Sequence, residues 1–187
     1  MCTVEIRRPR NEDIEEINQF FVTTIKDTFA REGLSELLDA IENEIEIKKE
    51  YLKCDMNSNG KNRYFLIAVD TNCNKIISTI EYGPPSELIN NCTNKELKDS
   101  PEIGTVFVHP NYQRRGIGNL LLNAMFLTLL SRGIKEFCLD SGYTNAQKVW
   151  KKKFGEPDYL LKDYWGDGYD HMIWKRCIDD VPIIFNK

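Results

Sequence analysis

The residues best placed to do chemistry lie in one run, Val106-Phe107-Val108-His109-Pro110-Asn111-Tyr112-Gln113-Arg114-Arg115-Gly116-Ile117-Gly118-Asn119-Leu120-Leu121. Its first part has the β-branched and aromatic composition of a strand, and Pro110 ends that strand because proline cannot donate to a ladder. Its last part opens an apolar helix. A helix start leaves backbone N–H groups unpaired and carries the positive end of the helix dipole. Gly116 and Gly118 let that backbone approach an anion with no Cβ in the way, and Arg114 and Arg115 add positive charge beside it. The combination is a cradle for a diphosphate. No Gly-Lys-Ser/Thr follows, which argues against a Walker loop. The three spaced glycines of a dinucleotide fingerprint are also missing.

The elements that must position this loop are legible on both sides. Thr3 to Ile6 reads as a short strand, and Asn11 as the cap of a helix carrying Ile14, Ile17, Phe21, Ile25 and Phe29. Gly33 interrupts, and a second helical run follows at Leu34, Leu37, Leu38, Ile41 and Ile45. Asn57 to Lys61 is turn-like. Strands follow at 63–70 and 75–82, joined by Thr71-Asn72-Cys73-Asn74. The polar stretch from Gly83 to Pro101 is long for a compact domain and reads either as a functional loop or as partly helical. A strand at 102–108 enters the loop, and a strongly apolar helix leaves it at Gly118 and runs to Arg132, with Gly133 as its stop. A buried strand at 134–140, a helix at 145–154 and strands at 159–164 and 169–178 complete the chain, the last two joined by Trp165-Gly166-Asp167-Gly168. The order is β-αα-βββ-α-β-α-ββ, a mixed α/β (α+β) fold expected to form one domain over 1–187.

Composition narrows the class. A chain of 187 residues with 41% hydrophobic and 29% charged residues reads as an ordinary globular domain. At this size about 70% of the unfolded surface is buried, so folding needs neither disulfide nor metal. A net charge of −4 argues against broad phosphate neutralisation, and hence against nucleic acid as a partner. The six cysteines are scattered, with no C-x-x-C pair and no ligand-like spacing to His109 or His171, so no metal is expected. Met1 to Arg10 has no apolar signal region and no stretch approaches a membrane span; the expected location is cytoplasmic, with reduced cysteines. The tail Val181-Pro182-Ile183-Ile184-Phe185 is apolar enough to pack on the domain or across a homodimer interface.

The loop resembles the acetyl-CoA motif of the GNAT acetyltransferase superfamily, Q/R-x-x-G-x-G/A after a strand ending in V-x-P: Gln113, Gly116 and Gly118 fill its defined positions. The element order matches over about residues 4 to 178, the specific part being 102 to 155. The resemblance implies a mixed sheet whose two central parallel strands, 102–108 and 134–140, splay apart. It implies pantetheine paired with the backbone near Phe107 and Val108, as in strand addition. The diphosphate would rest on Arg114, Arg115, Gly116, Ile117, Gly118 and Asn119, and Asn145 would bond the cofactor.

Acetyl transfer to an amine needs a neutral nucleophile, and alkylammonium ions resemble lysine, with a pKa of about 10.4. By the resemblance Glu102 and Asp140 stand where relatives carry a base, and Glu81 is a third strand-end carboxylate. Each also reads as a solvated end residue. The family's acid tyrosine falls at Trp150, whose indole cannot supply a proton. Tyr143 or Tyr164 then takes that place, or the thiolate leaves into water. His109 reads as a loop spacer. His171 reads as a packed hairpin residue ahead of its alternative, lining an acceptor pocket with Asp167 and Asp170. The resulting expectation is an N-acetyltransferase acting on a primary amine of a small molecule or peptide. The alternative is a non-catalytic acyl-CoA-binding module.

Overall fold

Apolar residues three and four apart make the first helices bury one face. In the computed structural model, which describes residues 3–185, helix α1 (Ile14–Arg31) buries Ile17, Phe20, Phe21, Ile25 and Phe29, and α2 (Leu38–Ser58) buries Ile41, Ile45 and Leu52. They belong to a first compact unit, Met1–Tyr82, Thr105–Leu127 and Phe185–Lys187. Strands β1 (Val4–Arg7), β2 (Tyr64–Asp70) and β3 (Lys75–Gly83) supply its sheet, with Val4 opposite Asp70 and Phe65 opposite Glu81 in antiparallel register. This unit also holds Thr105–Val108 of β4 (Glu102–Val108) and the first turns of α4 (Ile117–Ser131), where Ile117, Leu121, Leu122, Met125 and Phe126 are buried.

The second unit, Gly83–Gly104 and Thr128–Ile184, contains a short helix α3 (Glu87–Cys92), β5 (Glu136–Ser141), α5 (Thr144–Phe154), β6 (Tyr159–Leu161) and β7 (His171–Cys177). Here β4 and β5 run parallel with Glu102 opposite Cys138, while β5 and β7 run antiparallel from Glu136 opposite Cys177 to Ser141 opposite Met172. Ile89, Leu97, Cys138 and Ile173 pack together in its core. The strands form one mixed sheet in the order β1-β2-β3-β4-β5-β7-β6. No helix among the described residues is long and apolar enough to cross a membrane.

Several expectations are corrected. Asn11 is not the cap of α1: residues 11–13 form a 3-10 turn, and Asp13 accepts from the Arg10 N–H at 2.7 Å while Arg7 grips it through two nitrogens at 2.6 and 2.8 Å. The second helix begins at Leu38 and runs through Asn57 and Ser58 before Asn59 caps it in the left-handed region at φ +48°. Its ion pairs Lys48–Glu44, Lys49–Glu46 and Lys53–Glu50 support that length. The long polar stretch is partly helical, because Ser86 caps α3 by accepting from the Ile89 N–H at 3.3 Å. The sixth strand stops at Leu161 rather than 164. Asp163 turns to φ +53° and its carboxylate accepts from the Gly168 N–H at 2.7 Å, drawing the following residues into a wide loop. In the tail, Val181 is buried, whereas Ile184 and Phe185 are exposed.

Candidate active site

In the first unit the loop after β4 is held from three directions. The Gln113 side chain donates to the Val108 carbonyl at 3.1 Å and accepts from Arg31 at 2.9 Å. The Phe107 carbonyl accepts from the Ser78 hydroxyl at 2.6 Å. Tyr112 donates to Asp70 at 3.1 Å and lies 5.3 Å beneath the Arg115 guanidinium; its phenol is pushed up to about 12, first by its contact with Cys73 and then by burial and Asp70. His109 accepts from the Asn111 N–H at 3.2 Å, a capping role that fits a loop spacer.

On this frame the backbone curls. Arg114 sits at φ +61° and Gly116 at φ +81°, so the chain turns through the left-handed region twice just before the helix, and turn conformations of this kind can line up backbone N–H groups for an anion. The first helical bond of α4 runs from the Leu120 N–H to the Gly116 carbonyl at 3.0 Å, so the amides of Ile117, Gly118 and Asn119 precede it. A Cβ at Gly116 would meet nothing within 4 Å, while one at Gly118 would lie 3.2 Å from Val108 Cγ2. The loop therefore offers an open side at Gly116 and tight packing onto β4 at Gly118. These are the steric conditions for a diphosphate lying against main chain. Arg31, on α1, is a member of this frame that sequence reasoning missed; it stands 82 residues from its partner Gln113, and no local signal joins them.

Upstream on β4 the structure stores strain. Thr105 is β-branched yet stands at φ +52°, a region that costs such residues roughly 1–3 kcal/mol. Its hydroxyl donates to Glu81 at 3.2 Å and its carbonyl accepts from Thr79 at 3.0 Å. Glu81 is 0% exposed and also accepts from Arg63 at 2.6 Å. Burial holds its carboxyl above the ordinary range, against the pull of Arg63 and Lys48. Glu81 is thus a sealed anchor for a strained strand, not a carboxylate that a substrate can reach.

In the second unit Glu102 and Cys138 face each other across the parallel pair, and strand alternation puts Asp140 on the same face one step along. Glu102, 7% exposed, accepts from the Ser86 N–H at 2.6 Å and so serves the start of α3. The Cys138 thiol is pushed up to about 12 by burial and then by Glu102 and Asp140, which keeps it protonated and unfit as a nucleophile. Asp140 keeps its side chain 22% exposed, and its Oδ2 lies 3.0 Å from His171 Nε2. Asn145 stands in the first turn of α5, and Trp150, half-buried, stacks on Phe154 with ring centroids 5.8 Å apart. Tyr164 is exposed, its phenol raised chiefly by its bond with Cys92.

The model of the acetyltransferase (GNAT) family matches residues 29–155. Solved structures with a similar fold include a GNAT-family chain from Desulfovibrio desulfuricans (14% identity, 94% of this chain and 99% of that one, TM-score 0.70). Another is the PaiA N-acetyltransferase of Thermoplasma acidophilum in complex with coenzyme A (20% identity, 94% and 99%, TM-score 0.65). A third is the ribosomal-protein-S5-alanine acetyltransferase of Vibrio fischeri (16% identity, 96% and 95%, TM-score 0.64). No curated protein matches the chain in sequence. With the family's match spanning the strand, the curled loop and the helix that follows it, the chain belongs to the GNAT acetyltransferase family.

Proposed function

We propose that this chain moves an acetyl group from acetyl-CoA to a primary amine of a small molecule or peptide, working as a single acetyltransferase domain. The observation that carries the reading is the curled backbone at Arg114 and Gly116, set immediately before the helix amides of Ile117 to Asn119. In this reading Arg114 and Arg115 neutralise the diphosphate, the strand near Phe107 and Val108 pairs with the pantetheine arm, and Asn145 adds a further bond. The coenzyme A bound by the Thermoplasma relative supports it.

The incoming amine arrives as an ammonium ion and must lose its proton before the nitrogen can attack, a step that a carboxylate can assist. Asp140 is the better placed of the two expected bases, because its side chain keeps solvent exposure, whereas Glu102 is buried. As the C–N bond forms and the C–S bond breaks, the nitrogen sheds its second proton, which replaces the one that Tyr143, Tyr164 or water gives to the departing thiolate. Trp150, an indole stacked on Phe154, cannot give one. The raised Cys138 thiol favours direct transfer over an acyl-enzyme at that residue.

Thiol release measured across alkylamines, aminosugars and peptides with free N-termini tests the reaction and selects the acceptor class. Acetyl-CoA binding with no thiol release on any amine would return the chain to the role of a binding module. The loop is tested separately by calorimetry on Gly118→Ala and Gly118→Asp. Both bring a Cβ to within 3.2 Å of Val108, but only aspartate places a negative charge at the proposed diphosphate site. Acetyl-CoA affinity should fall far more for Asp than for Ala, and equal affinities in two folded variants would sink the loop assignment.

A further inference from the structure

Three side chains of the second unit form a hydrogen-bonded chain that ends on Asp140. The Trp165 indole N–H donates to His171 Nδ1 at 3.0 Å, and His171 Nε2 lies 3.0 Å from Asp140 Oδ2. An indole nitrogen can only donate, so Nδ1 must be the accepting nitrogen. The proton of a neutral imidazole is then on Nε2, where it donates to the carboxylate.

The surroundings hold this geometry. His171 is 4% exposed at its side chain, and Tyr164 packs against both rings with centroids 4.8 Å from Trp165 and 5.6 Å from His171. Gln147 donates to the Ser141 carbonyl at 3.0 Å and to the Asp170 carbonyl at 2.8 Å, tying the end of β5 to the start of β7. Gly142 leaves room for the indole: a Cβ there would lie 2.6 Å from Trp165 Nε1. Asp140 and Tyr164 are the titratable groups in contact with the imidazole among the described residues.

We infer that His171 is a positioning residue for Asp140, locked by Trp165 as the Nε2–H tautomer. This rests on the reading of Asp140 as the base. The bond fixes the Oδ2 side of the carboxylate and leaves Oδ1 to take the proton of the acceptor nitrogen. A neutral donor orients the carboxylate without neutralising it, so the oxygen that must take a proton keeps its charge. The proton passes from the ammonium nitrogen to Asp140, and His171 neither gains nor loses one.

The tautomer is read directly by ¹⁵N NMR of the imidazole in the ligand-free protein. The expected result is a protonated Nε2 and a bare Nδ1, with that preference lost in Trp165→Phe, which keeps an aromatic ring but has no N–H. In turnover, His171→Leu should lower kcat roughly 10- to 100-fold with little change in acetyl-CoA KM, the scale on which orienting partners act. His171→Gln, which retains an N–H donor, should recover part of that loss. An Nδ1–H tautomer in the wild-type protein, or equal kcat in His171→Leu and the parent, overturns the proposal while leaving Asp140 as the base. A fully active Asp140→Asn overturns the reading beneath it, and the proposal with it.

Discussion

Glu81 near the end of β3 and Asp140 near the end of β5 are both strand carboxylates, and the protein treats them oppositely. Glu81 is fully buried, meets a charged partner in Arg63 at 2.6 Å, and spends its other oxygen on the strained Thr105. Asp140 keeps part of its surface and meets a neutral partner in His171. A full countercharge in the interior makes an anchor: both ions have lost their water, and neither can let go of the other. A neutral donor at the edge leaves the carboxylate oriented without a countercharge, the condition that the proposed role of Asp140 as base requires. The partner and the solvent, more than the residue type, separate these two carboxylates.

The largest expected effect follows at Asp140. Asp140→Asn keeps the shape and the acceptor for His171 but removes the basic oxygen, so kcat should fall about 10²- to 10⁴-fold with acetyl-CoA affinity unchanged. Steady-state kinetics paired with calorimetry check it. The loss should shrink at high pH, where the free amine needs no base. Near-normal turnover would move the role to Glu102 and break the comparison.

Arg63→Met tests the other half. Leaving the buried Glu81 without its cation should cost about 3–5 kcal/mol at neutral pH, read from urea unfolding. The sign with pH is fixed by the raised carboxyl: the fold favours protonated Glu81, so stability is fullest below the ordinary glutamate value of about 4.3 and declines as pH rises through the raised folded value. The penalty of Arg63→Met should therefore fade in acid. A penalty independent of pH would mean that the arginine contributes mainly by stacking on Tyr51, whose ring centre is 3.6 Å away.

How much of this was legible in sequence follows from how far apart the partners stand. Strand β4 begins and ends where Pro101 and Pro110 bracket it, and α4 and α5 lie within a residue or two of their expected bounds, because proline, glycine and apolar period act locally. The loop was read from the same kind of local signal. Arg63 and Glu81 are 18 residues apart and His171 and Asp140 are 31 apart, so each pair exists only through strand register. The left-handed Thr105 carries no sequence mark at all, since threonine is ordinarily a comfortable strand residue. The expected aspartate and glutamate candidates looked alike in sequence because burial, which separates them, is a property of the fold.

Glu102 sharpens the contrast at smaller amplitude, since its partner is a backbone amide. Glu102→Gln should weaken the bond to Ser86 and cost roughly 1.5–3 kcal/mol, the range for hydrogen bonds to a charged group. Its effect on turnover should be well below that of Asp140→Asn. Hydrogen exchange should place the loosening at α3. A deep loss of kcat without any loss of stability would make Glu102 the base instead.

The smallest effect belongs to a fourth carboxylate, which has a charged partner like Glu81 but sits nearer the solvent. Asp13 accepts two bonds from Arg7, and that grip holds its carboxyl below the ordinary range, with the Arg10 amide helping. Glu81 and Asp13 both face arginine, yet their shifts run in opposite directions, because burial dominates one and the hydrogen bond dominates the other. A lowered folded value means that Asp13 contributes stability above the ordinary aspartate value of about 3.9, and that this contribution is lost as pH falls through the lowered value. Asp13→Asn should therefore cost about 1 kcal/mol at neutral pH, as for a partly solvated ion pair. Urea unfolding of parent and variant should converge as the pH is lowered past 4 toward the lowered value, since the parent by then has lost the charge that the variant never had. Curves that stay parallel down to that pH would assign the effect to the cap on the Arg10 amide, which asparagine retains in part, and would remove charge pairing from the account of this turn.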